Sequence, residues 1–406
     1  MVTFVVTDFR LLAAGQTLSW IGNGFQTVAL AVAVVTAGGG PGDLGLVMAC
    51  SVIAMLAGSL FGGVWADRLQ PQHVMVGSDV VRLAAAASMA AMFATGSYHI
   101  GLLAALAALS SLAGSFFSPA LTALRPLLVP PERRQKANAT LSMLQTGSTV
   151  VGPALGGLTV GAFGAPAGFT VNAVSFLAST VAALLLRVRA ERGPRDSMLS
   201  ELGAGWREVS SRPWLRSGLL AATVYHIANG VILVLVQVIA VQRLGGATSA
   251  GFIAAAEGFG GMVGAFIAMR LRPHFLLRAG WLTLLTMPLW ALAYVWPGQL
   301  TAVLAGAVIG WAGLIYFDVA WETAIQDRVP QTSLGRVASW DTLASFMAMP
   351  IGNALAGPLF EAYGVDRVLV VCAAVLAAAA ISQVLTPSVR TLTRGVPEPE
   401  PEPVPA

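Results

Sequence analysis

The sequence predicts an all-α membrane protein of twelve transmembrane helices arranged as two pseudo-symmetric six-helix bundles. Three observations carry this prediction. Of the 406 residues, 56% are hydrophobic and only 10% charged, against roughly a quarter charged in an ordinary soluble domain. The mean hydropathy of +0.76 is spread along the whole chain, in apolar runs far longer than the roughly ten-residue alternating segments of a barrel strand. In lipid only helices and closed barrels satisfy their own backbone, so the spans are helices. Finally, residues recur at a constant offset between the two halves.

Apolar runs, read against glycine, proline and charge breaks, place the elements in order. Span one covers 11–37, span two 44–65, a charged turn 66–73, span three 74–95, span four 100–124, span five 139–163 and span six 167–186. The longest polar stretch, 187–216, separates these from spans seven to twelve at 217–241, 247–269, 280–295, 300–325, 337–360 and 368–385. The expected organisation is an N-terminal bundle over 1–190, a central cytoplasmic loop over 191–215, a C-terminal bundle over 216–388 and a tail over 389–406. The tail is charged and proline-rich, and too poor in apolar residues to fold alone.

Met1 to Arg10 lacks the basic region of a cleaved signal, so the first span is expected to stay. With both termini in the cytoplasm, all of the 23 basic residues except Arg243, Arg367 and the intramembrane Arg82 fall on the cytoplasmic side. That is the asymmetry expected of a bacterial inner (plasma) membrane protein.

The repeat is legible from the numbering. Phe117, Ala120, Val129, Pro130, Gly152, Ala154, Leu155, Gly157 and Gly164 recur 200 positions later as Phe317, Ala320, Val329, Pro330, Gly352, Ala354, Leu355, Gly357 and Gly364. Chance identity among alanines and glycines is the competing explanation. The shared Val-Pro loop and constant register across three segments favour duplication.

Composition also excludes function classes. Cys50 and Cys372 each lie inside an apolar run, which leaves neither a disulfide framework nor a cysteine metal cluster. The net charge of +4 is topological, from loops between spans, and does not point to nucleic acid. No phosphate-binding loop, nucleophile elbow or histidine metal spacing is present, so no cofactor is expected and ATP is not the direct driver. His73 and His99 fall at loop edges.

Three segments carry a family resemblance. Gly63-Val64-Trp65-Ala66-Asp67-Arg68 is similar to the Gly-x-x-x-Asp-Arg-x-Gly-basic-basic signature of the major facilitator superfamily, with Gln70 at the glycine and Pro71 and Gln72 at the basic positions. Gly152-Pro153-Ala154-Leu155-Gly156-Gly157 resembles the Gly-Pro-x-x-Gly-Gly motif of its antiporters. Trp321 to Gln326, Val329-Pro330 and Gly335-Arg336-Val337 resemble its enterobactin- and macrolide-efflux-type exporters. The resemblance implies the major facilitator fold, with spans one, four, seven and ten around a central cavity, and an aspartate turn held against span eleven when the cytoplasmic side is closed.

Physical reading of the same residues assigns candidate roles. Asp67 in a tight turn suits the positive N-terminus of a neighbouring helix, or merely anchors the span end with Arg68. Pro153 removes a helical hydrogen bond, while Gly152, Gly156 and Gly157 flatten a face, which together suit bending and close packing. Asp318 and Glu322 share a face four residues apart, with Asp341 and Arg336 nearby, as a gate network or as proton carriers. Asp79 and Arg82, three apart, can pair on one face and serve mainly structure within the gate group. Glu257, mid-span with no basic residue within a turn, is the best single proton-coupling candidate, with a permanently protonated and hydrogen-bonded acid as the alternative. Gln16, Ser19, Asn23 and Gln26 form a polar stripe on span one. Together with Tyr225, His226, Asn229 and Tyr316, placed by the resemblance, they are the candidate substrate contacts. Relatives often carry an aspartate near Asn23, which weakens first-helix proton coupling here.

The expected function is secondary active export of small amphipathic molecules by proton antiport, by a monomer whose partners are its solute, protons and the bilayer. An uptake symporter is the alternative within transport. A transport-inactive receptor or an intramembrane enzyme would require a sensor domain or a catalytic cluster.

Overall fold

The computed structural model describes residues 2–66, 70–124, 127–130, 133–186, 206–271, 273–296, 299–330 and 333–393. Asp67 and Arg68, most of the stretch between the halves, and the tail from 394 lie outside the described residues.

The first half contains α1 (Val2–Thr36), α2 (Pro41–Ala66), α3 (Pro71–Ala94), α4 (Ile100–Leu124), α5 (Arg134–Phe163) and α6 (Ala165–Leu184). The second begins with α7 (Pro213–Arg243) and α8 (Gly246–Arg270). Eleven stretches among the described residues are long and apolar enough to cross a membrane. The 30-residue α5, diluted by Ser, Thr, Gln and Gly, completes the twelve spans. Several helices extend past their apolar runs, α1 most of all. Hydropathy marks where a helix meets lipid, whereas backbone hydrogen bonding continues into the headgroup zone until glycine or proline stops it. Pro41, Pro71 and Pro213 open α2, α3 and α7, where the missing N–H costs nothing.

Two spans are broken, each beside a proline. Span nine divides into α9 (Leu276–Thr283) and α10 (Thr286–Ala293), because Pro288 cannot donate to the Leu284 carbonyl. The break is pinned to span ten, α11 (Leu300–Arg328): the Thr283 hydroxyl donates to the Gly313 carbonyl at 3.0 Å and the Thr286 hydroxyl to the Gly310 carbonyl at 3.3 Å. Span eleven divides into α12 (Leu334–Phe346) and α13 (Met349–Tyr363) ahead of Pro350, and α14 (Val365–Leu385) is span twelve. The tight links from span five to six and from eleven to twelve each turn on a glycine in the left-handed region, Gly164 at φ 80° and Gly364 at φ 75°.

Within the first half α1 packs on α5 and α6, α3 on α4 and α6, and α2 on α4; in the second, α11 and α14 each pack on α9 and α10. Small residues allow this where lipid offers no hydrophobic drive. A Cβ on Gly15 would lie 2.7 Å from Ala182 Cβ, and one on Gly156 would lie 2.9 Å from Phe25 Cα. The duplication recurs in these contacts. Gly152 of α5 faces the Ile21 carbonyl and Gly24 of α1, while Gly352 of α13 faces the Ile227 carbonyl and Gly230 of α7.

The chain forms two compact units. The first comprises Met1–Arg195, Val234–Gly258 and Asn353–Pro358; the second comprises Asp196–Leu233, Phe259–Gly352 and Leu359–Ala406. α7 and α8 therefore each contribute one end to each unit, while α13 gives its middle, Asn353–Pro358, to the first unit and both ends to the second.

Candidate functional site

The first unit holds a cavity of about 670 Å³. Its polar wall is built by helical periodicity: Asn23, Gln26 and Thr27 on α1, Ser51 and Ser59 on α2, and Ser110, Ser111, Ser115 and Ser118 on α4, with Gln237 from α7. Met48, Met55 and Leu30 supply apolar surface beside them. Hydroxyls and amides set among adaptable apolar side chains suit an amphipathic solute.

Arg82 of α3 also lines this cavity. Its Nη2 donates to Asn23 Oδ1 at 3.0 Å, its Nη1 to Asp79 Oδ1 at 3.4 Å, and its guanidinium lies 4.0 Å from the centroid of the Phe176 ring on α6. Asp79 is fully buried behind it. A polar seam continues between α1 and α6: Gln16 Nε2 donates to the Ser179 hydroxyl at 3.3 Å, Asn172 Nδ2 donates to Gln26 Oε1, and the Ser175 hydroxyl donates to the Asn172 carbonyl at 2.7 Å. The stripe predicted on α1 is therefore divided. Asn23 and Gln26 reach the cavity, while Gln16 and Ser19 are buried, Gln16 within the seam.

In the second unit the Tyr225 hydroxyl and Asn229 Oδ1 are buried without a hydrogen-bond partner among the described residues, and His226 Nδ1 lies 2.7 Å from the Ala222 carbonyl. Tyr316 lies elsewhere. It lines an apolar groove of about 750 Å³ between α8, α9, α10 and α11, packed with Leu276 and Ala320. Tyr316 and Asp318 are two residues apart, which points them about 200° apart around α11.

Asp318 and Glu322 are exposed on α11, close enough to each other and to Asp341 of α12 for their charges to interact. Asp341 accepts a 2.8 Å hydrogen bond from Trp321 Nε1, and that indole sits among Trp214, Trp281 and Phe317. Glu257 of α8 is half-buried, with neither hydrogen-bond nor ion-pair partner among the described residues. Gly63 lies in α2 and Arg336 in α12.

The Gly152 to Gly157 segment works on two faces. Gly152 and Gly156 meet α1, while Gly157 meets α8, where its Cβ would come 2.7 Å from Gly251 Cα, and the Pro153 carbonyl also abuts Gly251. The duplicated counterpart lies in the same unit: Gly357 of α13 abuts Gly42 of α2, and the Asn353 carbonyl abuts Gly45. At both crossings backbone meets backbone at these glycines.

The α4 serines, the α6 residues Asn172, Ser175 and Ser179, and Gln237 did not emerge from the sequence reading. The three- and four-residue recurrence that marked α1 is present in both α4 and α6 and would have found the first two groups. Gln237 stands alone in an apolar run and has no such signature.

Twelve spans, a polar cavity among them and glycine crossings suit a multi-pass membrane transporter. The sequence matches the Major Facilitator Superfamily over residues 12–353, and the chain belongs to that family. It is 27% identical to the multidrug efflux pump Tap of Mycolicibacterium fortuitum, covering 95% of each chain. It is 26% identical to the enterobactin exporter EntS of Citrobacter koseri, covering 86% of this chain and 85% of that one. Its fold resembles a bacterial homologue of the human lysosomal transporter Spinster in an inward-facing, unoccupied conformation (TM-score 0.72, 17% identity, 96% and 97% coverage). It also resembles the nucleoside transporter NupG (TM-score 0.73, 12% identity, 95% and 100% coverage).

Proposed function

We propose that the chain is a monomeric exporter of the bacterial inner membrane, with cytoplasmic termini, that expels small amphipathic molecules such as drugs or secondary metabolites in exchange for protons. The observation that carries this reading is the pair of duplicated glycine crossings, α5 on α8 and α13 on α2, in the same unit as the polar cavity. Backbone-to-backbone contacts at both crossings make a close seal, which suits alternating access between rocking halves.

Export is favoured over uptake by the Gly152-Pro153-x-x-Gly156-Gly157 motif and by the names of the relatives. Proton exchange is supported by Glu257, an unpaired carboxyl within a span, and by the Asp318, Glu322 and Asp341 group. The organisation into bundles over 1–190 and 216–388 belongs to the same proposal, with Asp67, Arg68 and Arg336 serving the cytoplasmic gate.

Everted membrane vesicles with an imposed pH gradient, offered a panel of lipophilic cations and antibiotics, test it. Accumulation that collapses with the gradient is expected. Movement indifferent to the gradient overturns proton antiport, and accumulation only in right-side-out vesicles overturns export.

A further inference from the structure

We infer that Arg82 is an anion anchor in the cavity of the first unit, and that the solute class bound there carries a carboxylate or an equivalent acidic group beside its apolar body. The inference rests on the transport reading and narrows it to a substrate chemistry.

Among the described residues lining the cavity, Arg82 is the one charged side chain; the rest of the polar wall is hydroxyl and amide. The nearest acid, Asp79, is fully buried behind it and meets Nη1 at 3.4 Å, a long contact for a charge-assisted bond. The side-on edge of the guanidinium, Nε with Nη2, is the edge that grips a carboxylate bidentately. Here Nη2 is held by the neutral Asn23 carbonyl at 3.0 Å, and the Nε–H has no hydrogen-bond partner among the described residues. A buried donor left unspent costs free energy that an arriving acceptor recovers. Gly114 of α4 leaves room beside that edge, since a Cβ there would stand 3.8 Å from Nε and 3.9 Å from Cζ. Phe176, against the guanidinium at 4.0 Å, fixes its plane. A carboxylate that displaces the Asn23 carbonyl gains both donors of a preoriented fork, while Asn23 is released to bond the solute or water.

The test uses the purified full chain in phosphatidylcholine nanodiscs and two probes matched in size, 6-(dansylamino)hexanoic acid and its primary amide, titrated by fluorescence. The natural protein is expected to bind the acid at least about tenfold more tightly than the amide, the discrimination one charge-assisted pair confers. Arg82→Lys should keep part of that preference, since it preserves the charge without the fork. Arg82→Gln combined with Asp79→Asn, which leaves no buried charge unpaired, should bring the acid-to-amide ratio to about one. Gly114→Val, which crowds the Nε edge and leaves the pair intact, should lower the ratio independently should the double variant not fold. Equal affinity of the natural protein for acid and amide, binding of neither, or a ratio that survives both the double variant and Gly114→Val overturns the assignment. The transport reading fails separately, when energised vesicles move no solute from the wider panel.

Discussion

At the scale of single residues, two acids separate by their surroundings. Glu257 has no hydrogen-bond or ion-pair partner among the described residues. Glu257→Gln keeps the shape and removes the titration. It is expected to abolish gradient-driven transport while solute binding persists, measured by pH-gradient collapse in vesicles alongside equilibrium binding. Unchanged coupled transport rejects the proton role. Asp341 is held differently, by the Trp321 indole at 2.8 Å. Trp321→Phe preserves the stack on Phe317 but leaves the carboxylate without that donor, a loss of about 1.5–3 kcal/mol for a hydrogen bond to a charged group. A lower melting temperature in detergent is the expected outcome, and an unchanged one shows that the bond carries no net stability.

At the scale of elements, glycines on one helix differ in what they tolerate. On α5 a Cβ at Gly152 would meet the Ile21 carbonyl oxygen at 2.7 Å, and backbone cannot give way, so Gly152→Val should force α1 and α5 apart. Overpacking of this kind costs about 1–3 kcal/mol. Gly147 on the same helix has nothing within 4 Å, so Gly147→Ala should be neutral or raise stability by up to about 1 kcal/mol through helix propensity. Thermal unfolding of the two variants in parallel checks the contrast, and equal destabilisation refutes the packing account. Span nine shows the opposite lesson. Its apolar run read as one continuous helix, and Pro288 was visible in it, yet proline inside α4 and α5 breaks neither. What differs is the neighbour, because the Gly310 and Gly313 carbonyls of α11 accept from the threonines flanking the break.

At the scale of the whole molecule, the proposed export cycle requires the crossing of α5 on α8 to open for solute to pass. Gly161 and Thr248 offer a direct test, since a Cβ on Gly161 would stand 3.9 Å from Thr248 Cβ, within the range a disulfide spans. In a Cys50→Ser, Cys372→Ser background, Gly161→Cys with Thr248→Cys should cross-link on oxidation, stop transport in vesicles and recover on reduction. Full transport by the cross-linked protein shows that this crossing stays shut throughout the cycle. The same contacts give the repeat physical meaning: Ile21 and Gly24 recur as Ile227 and Gly230, each pair seated against the matching glycine of α5 or α13. Yet Asn23, held by Arg82, corresponds in this register to Asn229, whose Oδ1 has no partner among the described residues. The scaffold is duplicated while its polar chemistry is not.

The sequence by itself determined the class of molecule, the number and order of its spans, and the family. Those follow from local quantities, since apolarity over twenty residues and the breakers between runs are properties of the chain segment alone. It also brought out Asn23 and Gln26, because a polar stripe in an apolar helix is visible without knowing what it faces. Only the tertiary structure decided which polar side chains turn to the cavity and which to a neighbouring helix. Gln16 and Gln26 belong to one stripe, yet Gln16 bonds Ser179 in the seam while Gln26 reaches the cavity, and Tyr316 turns to the apolar groove. Arg82 is the clearest case. In sequence it is half of an ion pair with Asp79, and only the approach of α1, α4 and α6 makes it a cation held by Asn23 and Phe176 at the wall of a cavity.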